Sequence, residues 1–130
     1  MLKINVIEEI RRVFEGKCLE DIEEYLENVL IKKPQKEDIK KCLLLKKIFS
    51  NPTRISILSL LAQAPLPVCA LAVILGKHQT LISHNLTALK EMGIIHEQRV
   101  KKYRIYSLNK EKIRELFEDI CSFLNLGRDK

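Results

Sequence analysis

The fold is decided by residues 78–93, which read His78-Gln79-Thr80-Leu81-Ile82-Ser83-His84-Asn85-Leu86-Thr87-Ala88-Leu89-Lys90-Glu91-Met92-Gly93. At 100° per residue, Ile82, Leu86 and Leu89 fall within about 60° of one another around a helix axis. This spacing predicts an amphipathic helix over about residues 79–92, with Gly93 ending it. The polar residues of the same stretch gather on the opposite side of that helix.

The residues before this helix predict a second, shorter one from Pro67 to Leu75, which Gly76 closes. Two helices joined by a tight turn that contains a glycine make a helix-turn-helix. The outer side chains of the second helix are short and polar, so it could lie deep in a major groove about 12 Å wide. A plain solvated surface is the alternative. The candidate base contacts are Gln79, Thr80, Ser83, His84 and Thr87, with Lys90 nearer phosphate.

Two segments rich in β-branched and aromatic residues follow, at 94–99 and 103–108, joined by residues 100–102. They predict a β-hairpin with a basic tip. Next to a helix-turn-helix, such a hairpin is a wing that brings cations near phosphates of the flanking minor groove. The tip contains no glycine, which leaves the turn type open. The wing residues expected to contact phosphate are Arg99, Lys101, Lys102 and Arg104.

Helical periodicity dominates the rest of the chain. It predicts two amphipathic helices between Ile4 and Lys33, the first ended by Gly16, a third at 37–49, and a fourth that Asn51 caps. A last helix over 109–126 has an apolar stripe too long for one chain to cover, which suggests a dimer interface with the N-terminal helices. The predicted organisation is a helical extension at 1–36, a winged helix-turn-helix domain at 37–126 and a tail at 127–130. The extension is expected to enlarge the dimer interface, with an effector pocket as the alternative.

Composition and charge narrow the class of protein. Apolar residues make up 46% of the chain and the net charge is +6, with seven basic and two acidic side chains in residues 77–110. A positive segment of this kind is typical of a polyanion-binding element. The N-terminus has no apolar region of a signal peptide, and the longest apolar run, 68–75, is too short to span a bilayer. We therefore expect a cytoplasmic protein with no membrane partner.

The four cysteines, Cys18, Cys42, Cys69 and Cys121, stand singly, which predicts neither a zinc ribbon nor a disulfide framework. They lie in or beside predicted apolar stripes, where an unpaired cysteine is usually a small core side chain. A thiol switch that uses Cys69 or Cys121 is the sharper alternative. No glycine-rich phosphate loop or hydrolase motif occurs, so we expect no enzymatic activity, no catalytic residues and no cofactor.

Residues 49–108 resemble the ArsR/SmtB class of winged-helix repressors. Ser50 to Ile55 is similar to its "ADPTR-I" signature, Leu66 to Leu71 to its "L-C-V-C-D-L" box, and His78 to Lys90 to its recognition helix "SQ-x-x-VSHHL-x-x-LK". The resemblance implies a mainly α-helical homodimer with a small β-hairpin wing, in which N- and C-terminal helices dimerise. It also implies binding to a palindromic double-stranded DNA operator and release when an effector binds.

Departures from the family pattern concern the effector. The first cysteine position of the box is Pro67 here, and one remaining thiolate, Cys69, cannot form a three-coordinate soft-metal site. The last helix contains no histidine, and Glu115 with Glu118 alone make a poor transition-metal site. We therefore expect no metal at the family sites and an unknown effector. A winged helix that binds a protein partner without specific DNA binding also stays open, because fold does not fix function.

Overall fold

The computed structural model describes residues 3–13 and 17–127, which fall into two compact units, one ending at Lys36 and one beginning at Glu37. The first unit is built from two short strands and two helices. Asn5 caps the first helix, since its Oδ1 accepts a hydrogen bond from the Glu8 amide at 3.2 Å. The elements are β1 (Lys3–Asn5), α1 (Val6–Val13), α2 (Lys17–Leu26) and β2 (Leu30–Lys32).

The two strands of this unit correct the sequence prediction, which extended the helices from residue 4 to residue 33. β1 and β2 pair antiparallel, with Ile4 opposite Ile31. The chain leaves α2 through Asn28 at a φ of 64°, a left-handed conformation that a helix cannot contain. The helical spacing of apolar residues continues past Asn28 in the sequence, so the prediction placed the end of the second helix too late. Gly16, the predicted end of the first helix, lies outside the described residues.

The second unit contains the helix-turn-helix and the wing, as predicted. The caps that the sequence predicts for its second helix are present: Asn51 Oδ1 accepts from the Arg54 amide at 2.8 Å, and Pro52 is the first helical residue. The elements are α3 (Lys36–Ile48), α4 (Pro52–Gln63), β3 (Leu66–Pro67), α5 (Val68–Leu75), α6 (Gln79–Glu91), β4 (Ile95–Val100), β5 (Tyr103–Leu108) and α7 (Lys110–Phe123).

A third strand, which the sequence did not predict, joins the hairpin. The sheet order is β3-β5-β4, and β3 pairs antiparallel with β5 so that Pro67 lies opposite Ile105. Proline is tolerated there because β3 is an edge strand, where half of the backbone groups need no ladder hydrogen bond. Val100, expected in the connecting turn, instead pairs with Tyr103 and belongs to β4. The hairpin therefore turns over two residues, Lys101 and Lys102.

The core of the second unit lies where α4, α5 and α6 meet the sheet. Ile82, Leu86 and Leu89 have no exposed surface, which confirms the apolar face predicted for α6. Among the described residues, no helix is long and apolar enough to cross a membrane. The buried apolar side chains are Ile48, Ile57, Leu58, Leu61, Leu71, Ala72, Ile82, Leu86, Leu89, Ile94, Ile95, Tyr106 and Leu116.

Candidate nucleic-acid interface

The turn between α5 and α6 is fixed by a Schellman motif. Gly76 has a φ of 62°, which favours glycine because a Cβ would be strained there. The Lys77 amide donates to the Ala72 carbonyl at 3.0 Å and the Gly76 amide donates to the Val73 carbonyl at 3.3 Å. The turn thus stops α5 and sets the direction in which α6 begins.

The same motif ends α6. Gly93 has a φ of 74°, and the Ile94 amide donates to the Leu89 carbonyl at 3.0 Å. Asn109 then ties this end to the sheet, since its Nδ2 donates to the Gly93 carbonyl at 3.0 Å and its backbone amide to the Ile94 carbonyl at 2.8 Å. The helix is therefore held at both ends by backbone geometry and not by packing alone.

The outer face of α6 consists of the five side chains predicted to contact bases. All five are exposed, and within residues 3–13 and 17–127 none of them forms a hydrogen bond or ion pair. Their donors and acceptors are thus directed to solvent, the arrangement that contact with base edges requires. They are Gln79, Thr80, Ser83, His84 and Thr87.

Lys90, predicted to lie near phosphate, contacts the wing. Its Nζ is 3.3 Å from Oε2 of Glu97 on β4, and the Tyr106 hydroxyl donates to Oε1 of the same carboxylate at 3.0 Å. The hydrogen bond from Tyr106 is the main cause that holds the pKa of Glu97 below its ordinary value, and the charges of Lys90 and Arg104 act in the same direction. Partial burial opposes the change. Burial and the neighbouring Glu97 raise the pKa of Tyr106. The group joins α6 to both wing strands, and phosphate contact by Lys90 stays a prediction.

The wing tip concentrates positive charge. Arg99 and Arg104 lie directly opposite each other across β4 and β5, a like-charge pairing that weakens an isolated hairpin. Lys101 has a φ of 58°, and Lys102 Nζ lies 5.5 Å from the centroid of the Tyr103 ring. All four cations are exposed. A polyanion lying along the tip would relieve the repulsion between them.

The half-buried Arg54 and the buried Asn85 form a polar link that the sequence analysis missed. Asn85, on α6, is 4% exposed, and its Oδ1 accepts from Arg54 Nε at 3.2 Å. Arg54 Nη1 also donates to the Lys47 carbonyl at 2.7 Å. One signal could have revealed this link: Asn85 precedes the core residue Leu86 and follows Ile82 by three positions, so it borders the apolar face.

The cysteines of the second unit are not all core residues. Cys69 and Cys121 are exposed and Cys42 is half-buried, which corrects the interpretation of the first two as core side chains. The helix α5 buries the side that carries Leu71 and Ala72, and leaves Val73 80% exposed. Cys69 lies one helical turn before Val73 and is therefore exposed as well. The side chain of Cys18 lies outside the described residues. Control by Cys69 or Cys121 stays a prediction.

The structure was also searched for side chains that could hold a metal ion or an effector. Among the described residues, no three histidine, cysteine or carboxylate side chains come together as a metal site, and Glu115 and Glu118 are exposed on α7. The first unit has an open cleft of about 530 Å³ with a mostly glutamate lining that includes Glu8, Glu20 and Glu23. An effector pocket in this unit stays a prediction.

The geometry of the second unit defines a class of protein, the winged helix-turn-helix. Solved structures agree. The homodimeric winged helix-turn-helix DNA-binding domain of Mb0332 from Mycobacterium bovis, described as a possible ArsR-family transcriptional regulator, superposes with a TM-score of 0.56 and 28% identity. The superposition covers 72% of this chain and 88% of that one.

Sequence comparisons identify the family. The model of "Bacterial regulatory protein, arsR family" matches residues 51–97. The transcriptional repressor SdpR of Bacillus subtilis is 31% identical over 62% of this chain and 90% of its own length. The HTH-type transcriptional regulator NmtR of Mycobacterium tuberculosis is 33% identical over 54% of this chain, and the match spans 58% of NmtR. The chain belongs to the ArsR family of transcriptional regulators.

Proposed function

We propose that this chain is a transcriptional repressor that binds a palindromic DNA operator as a homodimer. The observation that carries the proposal is the outer face of α6, which presents five exposed polar side chains beside a cationic wing. Short polar side chains on an exposed helix can donate to and accept from base edges in the major groove. The wing cations supply the phosphate contacts that fix register and orientation.

Dimerisation is supported by an apolar surface on α3 and α7. Within one chain, Lys41 of α3 forms an ion pair of 3.1 Å with Asp119 of α7. The ring of Phe49, the residue after α3, lies 6.3 Å from that of Phe117 on α7, measured between centroids. Phe117 is 45% exposed, and Leu116 is the buried residue of α7. An apolar surface that is this exposed in the single chain is typical of one that a second copy of the chain covers.

Operator selection from random duplex DNA tests the proposal. We expect an enriched palindrome, with affinity falling by about 10³–10⁵-fold between 50 and 200 mM salt if 6–10 phosphates are contacted. The double variant Gln79→Ala, Ser83→Ala should lose preference for that operator. Retention of full operator affinity by this variant would contradict the proposal, because these side chains are assigned to base contacts.

The matched control is Lys101→Gly. Glycine suits the φ of 58° at this position, so the charge is removed without straining the turn. This variant should weaken binding to all sequences alike and lower the salt slope by about 2, which is about 1 for each protomer of the dimer. Weak binding to every duplex by the unmodified chain would instead favour a winged helix that binds a protein partner.

A further inference from the structure

Asn85 is the buried polar residue of the region that the structure describes. Both polar atoms of its side chain have partners: Oδ1 accepts from Arg54 Nε at 3.2 Å, and Nδ2 donates to the Leu81 carbonyl at 3.0 Å. A buried amide oxygen without a partner costs free energy, so Arg54 stabilises the Asn85 side chain in this position.

Arg54 connects three helices. Its Nη1 donates to the Lys47 carbonyl at 2.7 Å, in the last turn of α3, and to Ser50 Oγ at 3.1 Å. Its backbone lies in the first turn of α4, where its amide is capped by Asn51. Because its Nε reaches Asn85, one guanidinium joins the end of α3 and the start of α4 to the middle of α6.

The link lies on one flank of α6. At 100° per residue, Asn85 and Lys90 are about 140° apart around the helix axis. The Arg54 link therefore holds one flank, and the contact between Lys90 and Glu97 holds the other. Hydrophobic contacts under the helix are non-directional, whereas a hydrogen bond on one flank and an ion pair on the other oppose rotation about its axis.

We propose that Arg54 and Asn85 are positioning residues that set the rotation of α6, and thereby the sequence specificity of DNA binding. The inference rests on the proposed function. It differs from a phosphate contact by Arg54, because Nε and Nη1 of the guanidinium donate inward to protein acceptors. Loss of a phosphate contact would weaken all sequences and lower the salt slope, whereas a rotated α6 would lose base contacts alone.

Four variants test the proposal by their affinities for the selected operator and for a scrambled duplex across a salt series. Asn85→Leu removes the acceptor of Arg54, and Arg54→Lys keeps the charge but has no Nε–H. In both, we expect the operator-to-scrambled ratio to fall by about tenfold for each half-site, the effect of one lost base contact per protomer, with an unchanged salt slope. Asn85→Asp keeps an acceptor for Arg54 and should therefore retain most of the wild-type operator-to-scrambled ratio.

The fourth variant, Asn51→Ala, controls for stability. It removes the cap of α4 but leaves the link to α6, so it should lower the melting temperature with little change in the ratio. A ratio that follows melting temperature across all four variants would overturn the proposal. An equal loss for both duplexes with a smaller salt slope would also overturn it.

A measurement without DNA separates this inference from the proposed function. Residual dipolar couplings of the α6 amides in the free protein should report a rotated helix in Asn85→Leu and Arg54→Lys, and the original orientation in Asn85→Asp. An unchanged α6 in the first two variants would overturn the inference. If the unmodified chain shows no preference for any duplex, the proposed function fails, while the couplings still decide what Arg54 and Asn85 do.

Discussion

At the scale of single residues, Glu97 joins the wing to α6 through contacts with Tyr106 and Lys90. Its carboxylate accepts from the Tyr106 hydroxyl and lies 3.3 Å from Lys90 Nζ, and its side chain is 23% exposed. These partners favour the charged form, so the pKa of Glu97 is lower in the folded chain than in the unfolded one. A carboxylate of this kind stabilises the fold in a pH-dependent way.

The pH dependence of stability tests this contact. Because the folded pKa is lowered, the stabilisation is fully present above the ordinary glutamate value of 4.5 and is lost as the pH falls through the folded value. Urea unfolding of the wild type and of Glu97→Gln should therefore differ most near neutral pH and converge below pH 4.5.

Glu118→Gln is the control, since it removes an exposed carboxylate from α7, away from the wing. It should change the free energy of unfolding little at either pH. A difference between the wild type and Glu97→Gln that stays constant from neutral pH to acid would show that Glu97 acts through packing and not through charge.

At the scale of elements, the glycine after α6 decides where the helix stops and the wing begins. Gly93 has a φ of 74°, and a Cβ built on it would meet nothing within 4 Å. Any cost of a side chain there is thus backbone strain and not a clash. A residue other than glycine costs roughly 1–2 kcal/mol in the left-handed region.

Gly93→Ala should therefore lower the free energy of unfolding by about 1–2 kcal/mol without changing the core. Gly127→Ala is the matched control: a Cβ there also meets nothing within 4 Å, but Gly127 does not have a positive φ. Urea unfolding of both variants measures the difference. Equal stability of the two would mean that α6 ends by another route than the left-handed turn.

At the scale of the whole molecule, the surface of α7 bears on oligomeric state. Leu124, at the end of this helix, is 55% exposed and continues the apolar stripe that contains Phe117. A lysine placed inside an apolar interface must be desolvated without a partner, which opposes association. An exposed apolar residue outside the interface should tolerate the same change.

Leu124→Lys should shift the chain from dimer to monomer at micromolar concentration, as analytical ultracentrifugation would measure. Val73→Lys, which changes an 80% exposed residue of α5, should leave the dimer intact. The proposed interface is wrong if Leu124→Lys remains dimeric or if both variants dissociate alike.

Much of the second unit could be predicted because its signals are local. Asn51 and Pro52 begin α4, the glycines 76 and 93 end α5 and α6, and the 3–4 spacing of Ile82, Leu86 and Leu89 marks the buried face. These features depend on residues a few positions apart. The strands β1, β2 and β3 were missed because each is only two or three residues long and pairs with a distant segment.

The sequence by itself therefore determined the helix-turn-helix, the wing and the polar outer face of α6, because helix periods, caps and charge runs are properties of neighbouring residues. Only the tertiary structure decided that Arg54 bonds to Asn85, 31 positions away, and that Lys90 is paired with Glu97. It also decided that Cys69 and Cys121 are exposed. Such contacts depend on how helices rotate and pack, which side-chain burial and hydrogen bonding settle together once the chain has folded.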